Sequence, residues 1–278
     1  MTFDLQQSIR ERRTLLAAHR GVNGGNIPCN SLACYQIALS QGADIIEMDV
    51  QNSADGELFM LHPYMEAVHM GLPKGEWIVD MPAEKVRTLY LANQDITPTQ
   101  YPIASFHEVL DLLQGKCYLN IDKFWQNPRS IAEAVRSRGM QDQVIVKSGY
   151  APEVLDILEN YAADMQFLLI TRDPADIEKI AKRKLRYVGV EMLWTSDSDP
   201  LCQSEVIDAL HEAGKVVWGN SIVYNYKDIL SADHTDDTAL LEDPEKGWGW
   251  FCTHGFDIIQ TDWLLACDAY LKSRKYRI

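Results

Sequence analysis

Two acids spaced two residues apart, in the run Asp44-Ile45-Ile46-Glu47-Met48-Asp49-Val50-Gln51, carry the first chemistry that the sequence suggests. On an extended strand alternate side chains share a face, so Glu47, Asp49 and Gln51 point one way and Ile46, Met48 and Val50 the other. Carboxylates that leave water together need a compensating charge. A hard divalent cation held by oxygen ligands supplies it; solvation at a strand end, or ion pairs to Arg20, is the alternative. The run CYLNIDKFW, residues 117–125, adds Asp122 on the face of Asn120 and Phe124. Lys123 is expected on the opposite face, which leaves Lys147, at the end of VIVKS, as the better cation for the same cavity. Three acids without a histidine or cysteine cluster suit one Mg²⁺ or Ca²⁺ rather than zinc. Two histidines close apolar runs nearby, His19 after Leu15–Ala18 and His62 in ELFMLH. Imidazole gives and takes protons near neutral pH, so this pair beside acids predicts acid–base chemistry. His69, His107, His211, His234 and His254 fall on helices or loops and are expected to be structural.

The elements that must position these residues alternate regularly. Apolar runs of strand length occur at 15–19, 44–51, 117–124, 144–148, 166–170, 187–193, 216–222 and 257–261. Helical patterns lie between them, at 31–40, 106–113, 131–138, 152–159, 175–183, 205–213 and 263–271. Asn30 or Ser31, Ser105, Asn127-Pro128, Asp173-Pro174 and Asp262 are placed to cap their starts, and Gly42, Gly139, Gly214 and Gly255 to end them. Eight strand–helix units in 278 residues predict a (β/α)₈ TIM barrel, one domain over 1–278. A doubly wound open sheet is the competitor, but GVNGG after the first strand lacks the GxGxxG spacing. Two stretches interrupt the alternation, at about 63–104 and 225–254. Both should rise from the barrel's C-terminal face. In the second, the acidic part at 228–245 is expected to be solvated, Trp248 and Trp250 to pack the insertion, and Tyr224 and Tyr226 to line the rim.

Composition narrows the partners. The formal net charge is −14 with no basic run, which argues against nucleic acid and against docking on anionic membranes. No apolar run approaches membrane-spanning length, and the N-terminus lacks the apolar core of a signal peptide, so a cytoplasmic protein without stable membrane insertion is expected. Six scattered cysteines, with no CxxC pair, predict no disulfide framework.

These motifs together resemble the glycerophosphodiester phosphodiesterase family. HRG ends the first strand, GADIIEMDVQNSADGELFMLH supplies E-x-D and then a DG-to-His stretch, and GFDIIQTD follows at 255–262. The resemblance implies a (β/α)₈ barrel acting on a small phosphodiester with one divalent cation, its ligands Glu47, Asp49 and Asp122. It implies His19 and His62 as the acid–base pair, Arg20 as phosphate holder, and Trp218 facing the substrate, with barrel core as that tryptophan's other reading. We read His19 as base and His62 as acid. The sequence departs from the family at Cys29, where a carboxylate is usual, at Pro63 after the second histidine, and at Phe124, where the family has a lysine whose place Lys147 is expected to fill. Metal-dependent hydrolysis of glycerophosphodiesters to glycerol phosphate and an alcohol is the activity implied. A lysophospholipase-D-like or cyclising phosphodiesterase is the second reading, and a non-catalytic barrel that binds phosphodiester headgroups the third.

Overall fold

The computed structural model describes residues 3–278. Eight parallel strands close on themselves: β1 (Leu15–Ala18), β2 (Ile45–Asn52), β6 (Tyr118–Asp122), β7 (Val144–Ser148), β8 (Gln166–Thr171), β9 (Arg186–Met192), β10 (Val216–Asn220) and β11 (Ile258–Thr261). Closure runs through β1, which pairs with β11 from Leu15↔Ile258 to Ala18↔Thr261 and with β2 at Ala17↔Ile45 and Ala18↔Ile46. The barrel and all eight strands match the sequence reading, with no end shifted by more than two residues. Every residue of β1 and all of β2 but Asn52 are buried, because helices cover the outside and side chains fill the inside.

Odd–even alternation sorts the strand residues into two cores. Leu15, Ala17, Ile45, Tyr118, Ile145, Leu168, Val216, Trp218 and Ile258 fill the interior, floored by Leu5 of the helix Leu5–Arg12. Gly189 belongs to this layer, since a Cβ there would come within 2.2 Å of the Val216 carbonyl oxygen. The alternate residues, such as Leu16, Ile46 and Met48, face helices that include Phe106–Leu113 and Leu264–Ser273. Ser31 and Ser105 cap their helices as expected, each in a reciprocal capping box. Asp262 does not: Trp263 takes the cap position of the last helix, and the aspartate is used elsewhere.

The first interruption is a small structure of its own. Strand β3 (Leu58–Met60) runs antiparallel to β2, and a hairpin of β4 (Tyr90–Ala92) and β5 (Pro98–Pro102) follows. Phe59, Leu61, Ile78, Val86 and Leu91 give it a separate apolar core. The second interruption packs as expected around its tryptophans: Trp250 is stacked between His234 and His254, at 3.9 and 4.0 Å. Its acidic residues divide. Asp233, Asp237, Glu242 and Asp243 are exposed, whereas Asp236 is buried and accepts hydrogen bonds from Ser221, Thr261, Trp248 and the Asp262 backbone N–H. A solvated run is therefore only part of the truth, because Asp236 ties the insertion to β11.

Candidate active site

Each barrel strand hands its last inward residue to the C-terminal mouth. His19 extends the β1 ladder by one step, its N–H donating to the Thr261 carbonyl at 3.3 Å. The chain then turns sharply, with Arg20 at φ 54° and Gly21 at φ 79°. A left-handed non-glycine residue costs about 1–2 kcal/mol, a strain typical of functional turns. The turn swings the Arg20 backbone N–H to 3.0 Å from Glu47 Oε2 and its Nε to 3.1 Å from Asp49 Oδ2. Asn30, also left-handed at φ 54°, clamps Asp49 from the other side: Nδ2 donates to Oδ2 at 2.9 Å, and Oδ1 accepts the Asp49 N–H at 3.2 Å. Tyr35 holds that amide in turn, at 2.8 Å.

Glu47, Asp49 and Asp122 converge, with one carboxylate oxygen from each all within 4.8 Å of one another. Oxygens bound across a calcium-sized ion at about 2.4 Å each span about that distance. Asp49 Oδ1 is buried without a hydrogen-bond partner, and burial together with Asp49 pushes the Glu47 carboxyl up to about 7. Buried acids in that state fit a divalent cation, and an all-oxygen donor set favours a hard one.

Lys123 is where the sequence reading fails. It was expected on the far face, but its backbone is left-handed at φ 50°, which breaks the alternation at the end of β6. The side chain returns to the mouth, ion-paired with Asp122, 4.0 Å from Asp49 Oδ1 and 3.3 Å from His62 Nε2. Burial alone would lower its ammonium pKa, but Asp122 and Asp49 outweigh that and raise it. Lys147, expected to serve as the free cation, pairs with Glu191 at 2.6 Å, and Asn220 Nδ2 donates to the same carboxylate at 2.7 Å. Lys123 is thus the ammonium nearest the acids. Trp218 is fully buried; the Lys147 ammonium lies 4.2 Å above its ring, between tryptophan and cleft. Core is the position observed.

The two histidines differ in environment. His19 Nδ1 lies 2.8 Å from Asp262 Oδ1, and although burial works against the charged form, Asp262 and Glu47 raise the pKa. His62 Nδ1 lies 2.9 Å from the Pro63 carbonyl, which fixes a proton on that nitrogen and leaves Nε2 to accept from Lys123. Burial, with Lys123 and Arg20 nearby, lowers its pKa.

Two recesses meet at this centre. A cleft of about 280 Å³ is lined by His19, Arg20, Glu47, His62, Asp122, Lys123 and Lys147, with Tyr224 on its rim. Tyr226, the other expected rim residue, is 85% exposed and lines neither recess. A larger cavity of about 680 Å³ opens from His19 and Arg20 toward the loop at 23–29, the β4–β5 hairpin and Trp263. In its wall the Cys29 thiol lies 3.9 Å from the His69 ring. Burial pushes the thiol up to about 12 and the imidazole down to about 4, so both are neutral.

A family model described as a domain of unknown function matches residues 167–271. Among curated proteins, a glycerophosphodiester phosphodiesterase of Caldanaerobacter subterraneus is 27% identical over 146 residues, covering 49% of this chain and 58% of that protein. The match thus spans little more than half of that relative's length. One from Bacillus altitudinis is 47% identical over 49 residues, 18% of this chain and 20% of that protein. Solved structures agree over nearly the whole chain. A glycerophosphoryl diester phosphodiesterase of Parabacteroides distasonis has a TM-score of 0.75 at 18% identity, covering 94% of this chain and 87% of its own. A phosphodiesterase of Oleispira antarctica, solved with sn-glycerol-3-phosphate, scores 0.67 at 18% identity, with 93% and 96% covered. In sequence the chain is similar to curated glycerophosphodiester phosphodiesterases, and its fold is the TIM barrel of their solved structures.

Proposed function

We propose that this chain is a metal-assisted phosphodiesterase that cleaves glycerophosphodiesters to glycerol phosphate and an alcohol. The observation that carries the reading is the convergence of Glu47, Asp49 and Asp122 around an unpartnered buried oxygen, with His19 and His62 lining the same cleft. The names of the relatives and of the Oleispira complex point to the same substrate class. Glu47, Asp49 and Asp122 would hold one Mg²⁺ or Ca²⁺, which when bound supplies positive charge to a nonbridging phosphate oxygen. Arg20 reaches the phosphate from the same wall, and Lys123 offsets charge that builds beside Asp122.

The hydrogen bonds favour the reverse of the proton order first expected. His62 keeps its lone pair on Nε2 because Nδ1 donates to Pro63, so once the Lys123 ammonium gives up that nitrogen His62 takes the proton of the attacking water. Asp262 accepts from His19 Nδ1 and favours the protonated ring, so His19 is the group placed to deliver a proton to the departing alkoxide oxygen. The P–O bond to the alcohol breaks as the bond to the water oxygen forms. One test is phosphorus NMR of chelator-treated protein resupplied with Mg²⁺ or Ca²⁺ and given glycerophosphodiesters. A glycerol phosphate monoester is expected. A cyclic phosphate would move the chain to the cyclising reading, and headgroup binding without turnover under either ion would overturn catalysis.

A further inference from the structure

A phosphodiester has two arms, and two recesses of unequal size meet at His19 and Arg20. We propose, resting on the function just given, that the larger cavity seats the departing alcohol and selects a neutral polyol, a sugar or cyclitol, over a cationic or zwitterionic headgroup. Size assigns the arms first. A three-carbon glycerol suits the cleft of about 280 Å³, whereas about 680 Å³ lies in the usual range for whole small-molecule ligands. His19 stands on the boundary with Nδ1 tied back to Asp262, so an alkoxide leaving into the larger cavity departs past its ring.

Away from His19, Arg20 and Asp262 the wall of that cavity carries no charge: its polar groups are amides, set among Ile27, Val68 and Trp263. Gln94 Nε2 donates to Asn23 Oδ1 at 3.2 Å and Asn26 Nδ2 to Gln100 Oε1 at 2.9 Å, which latches the hairpin over the loop at 23–29. Asn23 retains a donor on Nδ2 and Gln94 an acceptor on Oε1, and a hydroxyl uses both. Trp263, half exposed on the same wall, offers a flat apolar face for the C–H side of a ring. Cys29 and His69 complete the lining without charge.

The charged residues on this wall are already engaged. Arg20 lies against Asp49, and Asp262, the single carboxylate lining the cavity, holds His19. A quaternary ammonium is recognised by an aromatic cage or an uncommitted anion, and this wall has one tryptophan and no uncommitted anion. An amino-acid headgroup needs partners of both signs.

The experiment compares kcat/KM for glycerophosphoinositol, glycerophosphocholine and glycerophosphoserine. The inositol diester is expected to lead by at least tenfold. Gln94→Glu puts a carboxylate on the roof and should narrow the inositol-to-choline ratio at least threefold, chiefly through a lower KM for choline. Trp263→Ala should raise KM for the inositol diester severalfold with kcat little changed. Equal or faster cleavage of the choline diester overturns the proposal. So does a ratio that neither substitution moves. Failure of every headgroup alike, with both cations tried, overturns the enzymatic reading on which the proposal stands.

Discussion

The barrel buries charge at both ends, and the two ends treat it differently. At the N-terminal end Arg277 is enclosed, with Nε donating to Asp268 at 2.8 Å, Nη1 to the Thr14 carbonyl at 2.7 Å and Nη2 to the Gly42 carbonyl at 2.9 Å. It also pairs with Asp44, which accepts the Leu16 N–H at 2.9 Å and lies 3.1 Å from Arg12. Each charge there has a partner supplied by the chain. At the C-terminal mouth three acids gather against Arg20 and Lys123, and Asp49 Oδ1 has no hydrogen bond. Charge that the protein neutralises itself holds the fold. Charge left partly uncompensated is what a bound cation would complete.

The widest separation between the ends should come from single deletions. His19→Ala or His62→Ala is expected to lower kcat/KM by about 10²–10⁴-fold while leaving the melting temperature nearly unchanged. Arg277→Met does the opposite. Removing one partner of a buried ion network costs about 3–5 kcal/mol, so urea unfolding should reveal a large loss of stability, with turnover per folded molecule kept. Wild-type activity in His62→Ala, or wild-type stability in Arg277→Met, would erase the distinction.

Metal linkage gives a smaller, sharper test. A cation at 100 times its dissociation constant stabilises the folded state by about 2.7 kcal/mol if the unfolded chain does not bind it. Thermal unfolding with and without Mg²⁺ or Ca²⁺ should show such a shift in the wild type and in Arg277→Met, and none in Asp49→Asn. A metal-dependent shift that survives in Asp49→Asn would move the cation elsewhere.

How far each end was legible follows from sequence distance and backbone regularity. Glu47 and Asp49 share one regular strand, so period two alone put them on the same face, and the eight apolar runs set the barrel around them. Asp262 lies 243 residues from His19, and closure of the barrel brings them together. Its position just after β11 read equally well as a helix cap. Lys123 was misplaced because alternation was extended one residue past the end of β6, into a left-handed turn that no periodicity signals. Asn30 was noticed as a possible cap, but its clamp on Asp49 depends on a positive φ that the sequence does not announce. At the other end, the tail carrying Arg277 had no pattern marking it as buried.

The smallest expected effect bears on whether every ion pair at the N-terminal end behaves like Arg277. His211 Nε2 lies 3.0 Å from Asp257 Oδ2, which also accepts the Val217 N–H at 2.8 Å. The Asp257 hydrogen bond raises the His211 pKa above 6.5. A raised folded-state value means that the pair contributes its full stability below about 6.5, the unfolded value, and loses it as pH climbs through the folded one. The imidazole is 37% exposed, so solvent screening limits the contribution to about 0.5 kcal/mol. His211→Gln should therefore be slightly less stable than the wild type at pH 5.5 and indistinguishable at pH 8.5. The cost of Arg277→Met should hold across the same range, since a guanidinium does not titrate there. A His211→Gln deficit as large at pH 8.5 as at pH 5.5 would mean that this histidine, like Arg277, works through packing and neutral hydrogen bonds rather than through its charge.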